Sequence, residues 1–224
     1  MCSNYDAVTN AERLRLYFDV EAPAGIKDRI WPLYEAPFVR RHPHKDVGDD
    51  AVPAREALAG RFGLIPHWAG DLGFGRRTYN ARSETVAEKP SFRDAWKHAH
   101  HCIVPAEAIY EPDWRSGKAV PTRIQRKDGK PLGIAGLWGS NRKATGEEVF
   151  SFTLLTLNAD GHDLFTNFHK PQDEKRMVVF LEEDQYDEWL EAPAERSPDF
   201  MRQFPAQLLK GIADPERGRK TKAG

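Results

Sequence analysis

The sequence predicts an α+β fold in a single domain. Three observations carry that prediction. From Thr122 onward the chain alternates apolar and polar residues in strand fashion, and Val149–Leu157 is its longest β-rich run. Short amphipathic stretches opened by helix-start residues flank this region. The chain has 224 residues, 40% of them hydrophobic, which is enough for one substantial core. We place the domain at 1–209 and read 210–224, basic and glycine-rich, as a disordered tail.

The elements follow from local chemistry. Thr9-Asn10-Ala11-Glu12 has the spacing of a capping box, with Leu14, Leu16, Tyr17 and Phe18 forming the apolar face of a short helix. Pro23, Gly25, Pro32 and Pro37 break the pattern, leaving room for one strand between Trp31 and Val39. Arg40 to Lys45 reads as a charged loop. Phe62 to Ala69 is a buried strand running into a proline turn, and Arg76 to Thr85 reads as a polar edge strand. Ser91-Phe92-Arg93-Asp94 starts a second helix carrying Ala95 and Trp96. Cys102-Ile103-Val104-Pro105 begins another buried strand.

Thr122–Arg126 and Leu132–Trp138 read as a hairpin across Lys127-Asp128-Gly129-Lys130. Asp163–His169 is a short helix or turn stopped by Pro171, and Met177–Leu181 is a strand. Asp184–Leu190 is a helix with Tyr186, Trp189 and Leu190 on one face, and Ser197-Pro198-Asp199 starts another.

Composition bounds the function. Net charge is −1, which argues against bulk coating of nucleic acid but leaves room for a local basic groove. No apolar run approaches the ~18–20 residues of a membrane span, and no signal peptide is visible. Two cysteines, Cys2 and Cys102, make no disulfide framework, so a reducing cytoplasm is the expected setting. His42 with His44, and His98, His100 and His101 with Cys102, lack the ligand spacing of a zinc site. No metal or cofactor is expected.

Cys2 is the most reactive candidate. Removal of Met1 would place an α-amine and a thiol on adjacent carbons. The amine condenses with an aldehyde to an imine, and the thiol then closes a five-membered thiazolidine. With an α-amine pKa near 7.7–8.0, roughly a tenth to a fifth is neutral at pH 7. The plainer alternative is a frayed terminus.

Three other features carry two readings each. Trp68 is core, or a platform for a base. Arg76, Arg77 and Arg82 are ordinary surface charge, or a phosphate-gripping rim around Asn80. Glu111, among Ile109, Tyr110 and Pro112, is a strand-end group, or a desolvated acid with a raised pKa.

The order and spacing of four pieces resemble one family. They are Cys2 after Met1, then Gly63-Leu64-Ile65-Pro66-His67-Trp68-Ala69 followed by Asn80-Ala81-Arg82-Ser83-Glu84-Thr85. Next come Cys102-Ile103-Val104-Pro105 with Tyr110-Glu111, and last His169 with Arg176-Met177. Together they resemble the SRAP family, the SOS-response-associated proteins that process abasic sites in single-stranded DNA.

The resemblance implies antiparallel, barrel-like sheets with flanking helices. It implies a processed Cys2 that captures the aldehyde of an abasic site as a thiazolidine cross-link, and a peptidase-like self-processing that removes Met1. Asn80 would hold the N-terminal residue, Glu111 would be the acid/base, and His169 would help open the sugar. Trp68, Arg76, Arg77, Arg82 and Arg176 would contact DNA. The implied partner is abasic single-stranded DNA, bound by a monomer away from any membrane.

The chain departs from the family pattern in three places. Ser3-Asn4 stand where the family has Gly-Arg, six residues (170–175) separate His169 from Arg176, and Pro112 follows Glu111. Two other functions stay open, an N-terminal-nucleophile hydrolase and a non-covalent single-strand binding module.

Overall fold

The computed structural model describes residues 2–49 and 51–217. In chain order the strands and α-helices are β1 (Tyr5–Ala7), α1 (Ala11–Phe18), β2 (Arg29–Ile30), β3 (Glu35–Arg41), β4 (Arg55–Phe62) and β5 (Asn80–Arg82). Then follow α2 (Arg93–Lys97), β6 (His101–Asp113), β7 (Val120–Arg126), β8 (Leu132–Asn141) and β9 (Val149–Asn158). The chain ends with β10 (Arg176–Val178), β11 (Phe180–Leu181), α3 (Tyr186–Glu191) and β12 (Leu209–Ala213).

Five strands close on themselves. β3 pairs β4, β4 pairs β9, β9 pairs β8, β8 pairs β6, and β6 returns to β3 through Val39 and Ile103. Closure removes the exposed sheet edges that invite aggregation. One seam differs from the expected antiparallel pattern, because β4 runs parallel to β9 at Arg61↔Ser151 and Phe62↔Phe152. The long excursion through β5, α2 and β6 between these strands permits that direction. Phe38, Phe62 and Phe152 are fully buried, and the Phe62 and Phe152 rings stack at 5.7 Å.

β6 is the spine of the molecule. Its first half, His101–Ala106, pairs with β8, and its second half, Ile109–Asp113, pairs with β7. The expected hairpin between β7 and β8 is therefore absent. Both strands lie along β6 end to end, and the other edge of β7 is taken by β12. That last pairing also corrects the expected disordered tail. Leu209–Ala213 adds a strand to β7, and the remainder of the tail from 218 lies outside the described residues.

The helices keep their expected faces but not all their caps. The N-cap of α1 is Asn10, whose side chain accepts from the Arg13 amide at 2.9 Å, so the start is one residue later than the Thr9 box. α2 begins after Phe92 with no side-chain cap. α3 buries Tyr186, Trp189 and Leu190, and Tyr186 stacks on Phe18 of α1 at 5.4 Å. Pro198 lies inside a 3-10 segment, Ala194–Phe200, rather than opening a helix. The strand expected between Trp31 and Val39 starts at Glu35 and runs through Arg41, into the stretch read as loop.

Candidate active site

The N-terminal strand delivers Cys2 to the centre. β1 pairs antiparallel with β6, Tyr5 opposite Ile109, and the Tyr110 amide donates to the Asn4 carbonyl at 3.2 Å. Cys2 is therefore fully buried, not a frayed end. Its thiol donates to the Asn4 carbonyl at 3.5 Å. Burial, with the nearby Glu111 carboxylate, pushes the thiol up to about 12. At neutral pH the sulfur keeps its proton.

Asn80 opens β5, held parallel to β9 by its pairing with Leu154. Its Nδ2 donates to the Cys2 carbonyl at 2.7 Å. An amide cannot shuttle protons, so the contact orients the terminus. Glu111 lies in the second half of β6, opposite Thr122. It is 2% exposed, and burial raises it to about 7.

His169 arrives from the other direction. Its amide donates to the Pro112 carbonyl at 3.0 Å, next to the bridge between Asp113 and Phe168. It holds φ 62, a left-handed conformation that is uncommon for a non-glycine residue. Its Nδ1 lies 3.6 Å from Glu111 Oε2, and its Nε2 is 3.3 Å from the Arg176 carbonyl. Burial lowers the imidazole to about 4, so it is neutral at pH 7.

The six residues between His169 and Arg176 do not dislodge this geometry. Lys175 Nζ donates to the carbonyls of Phe168 and Lys170, each at 2.9 Å, closing the stretch into a stapled turn. Cys2, Asn80, Glu111 and His169, far apart in sequence, thus meet through four separate segments. A carboxyl poised near neutrality beside a neutral imidazole can both give and take protons at pH 7.

The predicted DNA contacts divide. Trp68 is 41% exposed, with its ring edge-on to Phe74 at 5.1 Å. Arg76 and Arg77 are exposed, but on a 3-10 turn (Leu72–Arg77) rather than an edge strand. Gly63 brings that turn against the Trp68 loop. At φ 120, a Cβ on Gly63 would meet the Gly75 carbonyl oxygen at 2.1 Å. Arg82 follows Asn80 by two on β5, so both share one face, and its guanidinium pairs with Glu174 at 2.8 Å.

Arg176 is corrected. It is 2% exposed, clamped by Glu84 at 2.8 Å and Glu174 at 2.7 Å, and it donates to the Thr156 carbonyl. Its charge is matched inside the protein by two carboxylates and a carbonyl. Sequence reasoning also missed Arg217. This residue is buried against Asn4, Tyr5 and Asp6, and a lone arginine in a basic tail gives no signal of that.

No group of three or more histidine, cysteine or carboxylate side chains is arranged to hold a metal among the described residues. No helix among them is long and apolar enough to cross a membrane.

The sequence model of the family described as SOS response associated peptidase (SRAP) matches residues 1–213. The chain belongs to the SRAP family. That match takes in Cys2, Asn80, Glu111 and His169 and ends before Arg217. Two Bacillus subtilis relatives are named abasic site processing protein YoaM and YoqW. Each is 34% identical, over 145 and 143 residues, or 63% of this chain. The chain spans 59% and 60% of their lengths.

A crystal structure from Bordetella bronchiseptica is 47% identical, with 95% of this chain and 99% of that one covered at TM-score 0.87. Another, from Bacteroides thetaiotaomicron, shares the SRAP fold at 20% identity and TM-score 0.77, covering 95% of this chain and 91% of its own.

Proposed function

We propose that this protein binds single-stranded DNA and captures abasic sites covalently through Cys2, after Met1 is removed. Met1 itself lies outside the described residues. The observation that carries the proposal is the convergence on one buried cysteine of an orienting amide, a carboxyl near neutrality and a neutral imidazole.

The chemistry runs amine first. A thiol held near 12 is a poor leading nucleophile, whereas a neutral α-amine is available at pH 7. The ring-opened abasic sugar presents an aldehyde. The amine nitrogen bonds to that carbon and passes one proton to the oxygen; Glu111 gives the resulting hydroxyl a second, water leaves, and the proton the nitrogen then loses returns to Glu111, giving a neutral imine. The Cys2 sulfur then bonds to the imine carbon, and its proton passes by way of Glu111 to the nitrogen. The sum is one water lost and a thiazolidine formed. Run backwards, the same transfers release the DNA. His169, neutral and hydrogen-bond capable, assists the sugar's ring opening. Asn80 holds the Cys2 carbonyl so that the terminus faces Glu111.

DNA affinity in this proposal rests on a local rim of Trp68, Arg76, Arg77 and Arg82, since the total charge is −1. Arg82 must exchange Glu174 for a phosphate when DNA binds. All four site residues come from one chain, so the reaction needs no second copy. The same Glu111 and Cys2 also suit hydrolysis of the Met1–Cys2 bond, the peptidase-like self-processing that exposes the amine.

One gel tests the proposal. Purified protein mixed with single-stranded DNA bearing one abasic site should give a heat-stable, SDS-resistant adduct, and undamaged DNA should give none. Amide hydrolysis with no adduct would favour a hydrolase. A salt-sensitive mobility shift alone would favour a non-covalent binder.

A further inference from the structure

Arg217 is the last residue the structure describes, and its side chain is only 3% exposed. All three of its nitrogens are engaged. Nε donates to Asn4 Oδ1 at 3.0 Å, Nη1 to Asp6 Oδ1 at 2.6 Å, and Nη2 to the Tyr5 carbonyl at 3.2 Å. The guanidinium lies over the Tyr110 ring at 3.9 Å. Tyr110 completes the ring of contacts, because its hydroxyl donates to the other oxygen of Asp6 at 2.9 Å. The sheet holds Arg217 there. β12 pairs with β7 through Ala213↔Thr122, the Asp214 amide donates to the Pro121 carbonyl at 2.7 Å, and the Arg217 amide donates to the Asp214 carbonyl.

The residues it grips are the ones that set the site. Asn4 carries the carbonyl that accepts both the Cys2 thiol and the Tyr110 amide. Tyr110 immediately precedes Glu111. One guanidinium therefore ties the segment just after the nucleophile to the residue just before the carboxyl. We infer that Arg217 is a positioning residue for Cys2, a clasp that the C-terminal strand brings across the N-terminal strand. It touches neither DNA nor the reacting atoms. It fixes the separation of Cys2 from Glu111, so it governs the rate of the chemical step and not the affinity for DNA. A planar fork with donors to three acceptors does this, and a lysine, with one rotating point charge, supplies only the attraction to Asp6.

The inference rests on the proposed cross-linking activity, so its test has one arm that needs no DNA. In Arg217→Ala, Arg217→Lys and the unaltered protein, alkylation by N-ethylmaleimide is followed separately at Cys2 and Cys102 by peptide mass. Cys102 is buried in the barrel and reports global loosening. Arg217→Ala should speed labelling of Cys2 at least tenfold and leave Cys102 unchanged, with Arg217→Lys in between.

In the second arm, single-turnover cross-linking is measured across DNA concentration. The maximal rate of Arg217→Ala should fall at least tenfold while the half-saturating DNA concentration moves less than twofold. Arg217→Lys should recover part of the rate. Unchanged Cys2 labelling, or Cys2 and Cys102 rising together, would overturn the clasp. So would faster Cys2 labelling with an undiminished maximal rate. If the unaltered protein forms no adduct at all, the cross-linking proposal fails, and the labelling arm still decides whether Arg217 holds Cys2 in place.

Discussion

Among the buried imidazoles, His101 and His169 are both pushed by burial down to about 4. His101 opens β6, with Nε2 at 2.8 Å from the fully buried Ser197 hydroxyl and its ring stacked on Trp189 at 3.8 Å. His169 approaches the far end of the same strand, with Nδ1 at 3.6 Å from a buried carboxyl and its backbone in the left-handed region. Burial and a lowered pKa are thus common to a packing residue and a candidate catalytic one. The neighbours separate them. His101 faces the indole of α3 and a neutral hydroxyl in the 3-10 segment that follows it, whereas His169 faces a titrating acid beside a nucleophile.

The largest expected contrast is kinetic. His169→Ala should slow capture of closed-ring abasic sites on the order of 100-fold, and a pre-opened aldehyde far less, as expected for loss of a proton-handling group. His101→Ala should cross-link normally per folded molecule and instead lose about 2–4 kcal/mol of stability in urea unfolding, through lost stacking and an abandoned Ser197 hydroxyl. Equal kinetic losses would erase the distinction.

The next contrast is thermodynamic. Glu111 is raised to about 7, so its burial penalises the folded state increasingly as pH rises from its unfolded value toward 7. His169 is lowered to about 4, so its penalty grows as pH falls below its unfolded value of about 6.5. Between about pH 4.5 and 6.5 the folded pair holds one proton on Glu111, and the unfolded pair holds one on the imidazole. The two slopes offset there. Glu111→Gln should unmask the histidine, with stability falling as pH drops from 6.5 toward 4. His169→Ala should unmask the carboxyl, with stability falling as pH rises from 4.5 toward 7. Each slope should amount to up to about 3 kcal/mol across its window. Unfolding midpoints that keep the parent's pH profile in both variants would contradict the pairing.

The smallest effects belong to the arginines. Arg176→Ala removes a buried guanidinium and its hydrogen bonds to Glu84, Glu174 and the Thr156 carbonyl, and should cost about 1–3 kcal/mol of stability. Arg82→Ala should leave stability within about 0.5 kcal/mol and lower the salt slope of single-strand binding by about 1. A reversed pattern would return Arg176 to the DNA face.

How much of this was legible in the sequence depended on whether the signal was local. Unbroken β-rich runs located β9 and the start of β6, because a strand buried on both faces reads as continuous apolar sequence. The same logic failed at β7 and β8. A Lys-Asp-Gly-Lys turn signals a reversal, but the partner of each strand is β6, and no turn residue encodes that. The meeting of four separate segments at Cys2 was readable only through the spacing of its motifs.

The histidines near Cys102 diverge. His101, the first residue of β6, is buried against Trp189, while His100, just ahead of the strand, stacks on Trp138 at 4.7 Å, so the cluster never gathers around one point. Arg176, a DNA contact by resemblance, and Arg217, part of a basic tail by composition, share one feature that neither signal encodes: each is buried by a carboxylate contributed from a distant segment.

The most direct measurement is the mass of the N-terminal peptide recovered from protein cross-linked to abasic single-stranded DNA and digested by nuclease and protease. The peptide should begin at Cys2 and carry the sugar remnant with loss of one water, stable without reduction. Cys2→Ala should yield a remnant only after borohydride trapping, since its free amine makes an imine that no thiol can close. A remnant on any other residue, or on a chain that still retains Met1, would contradict the account.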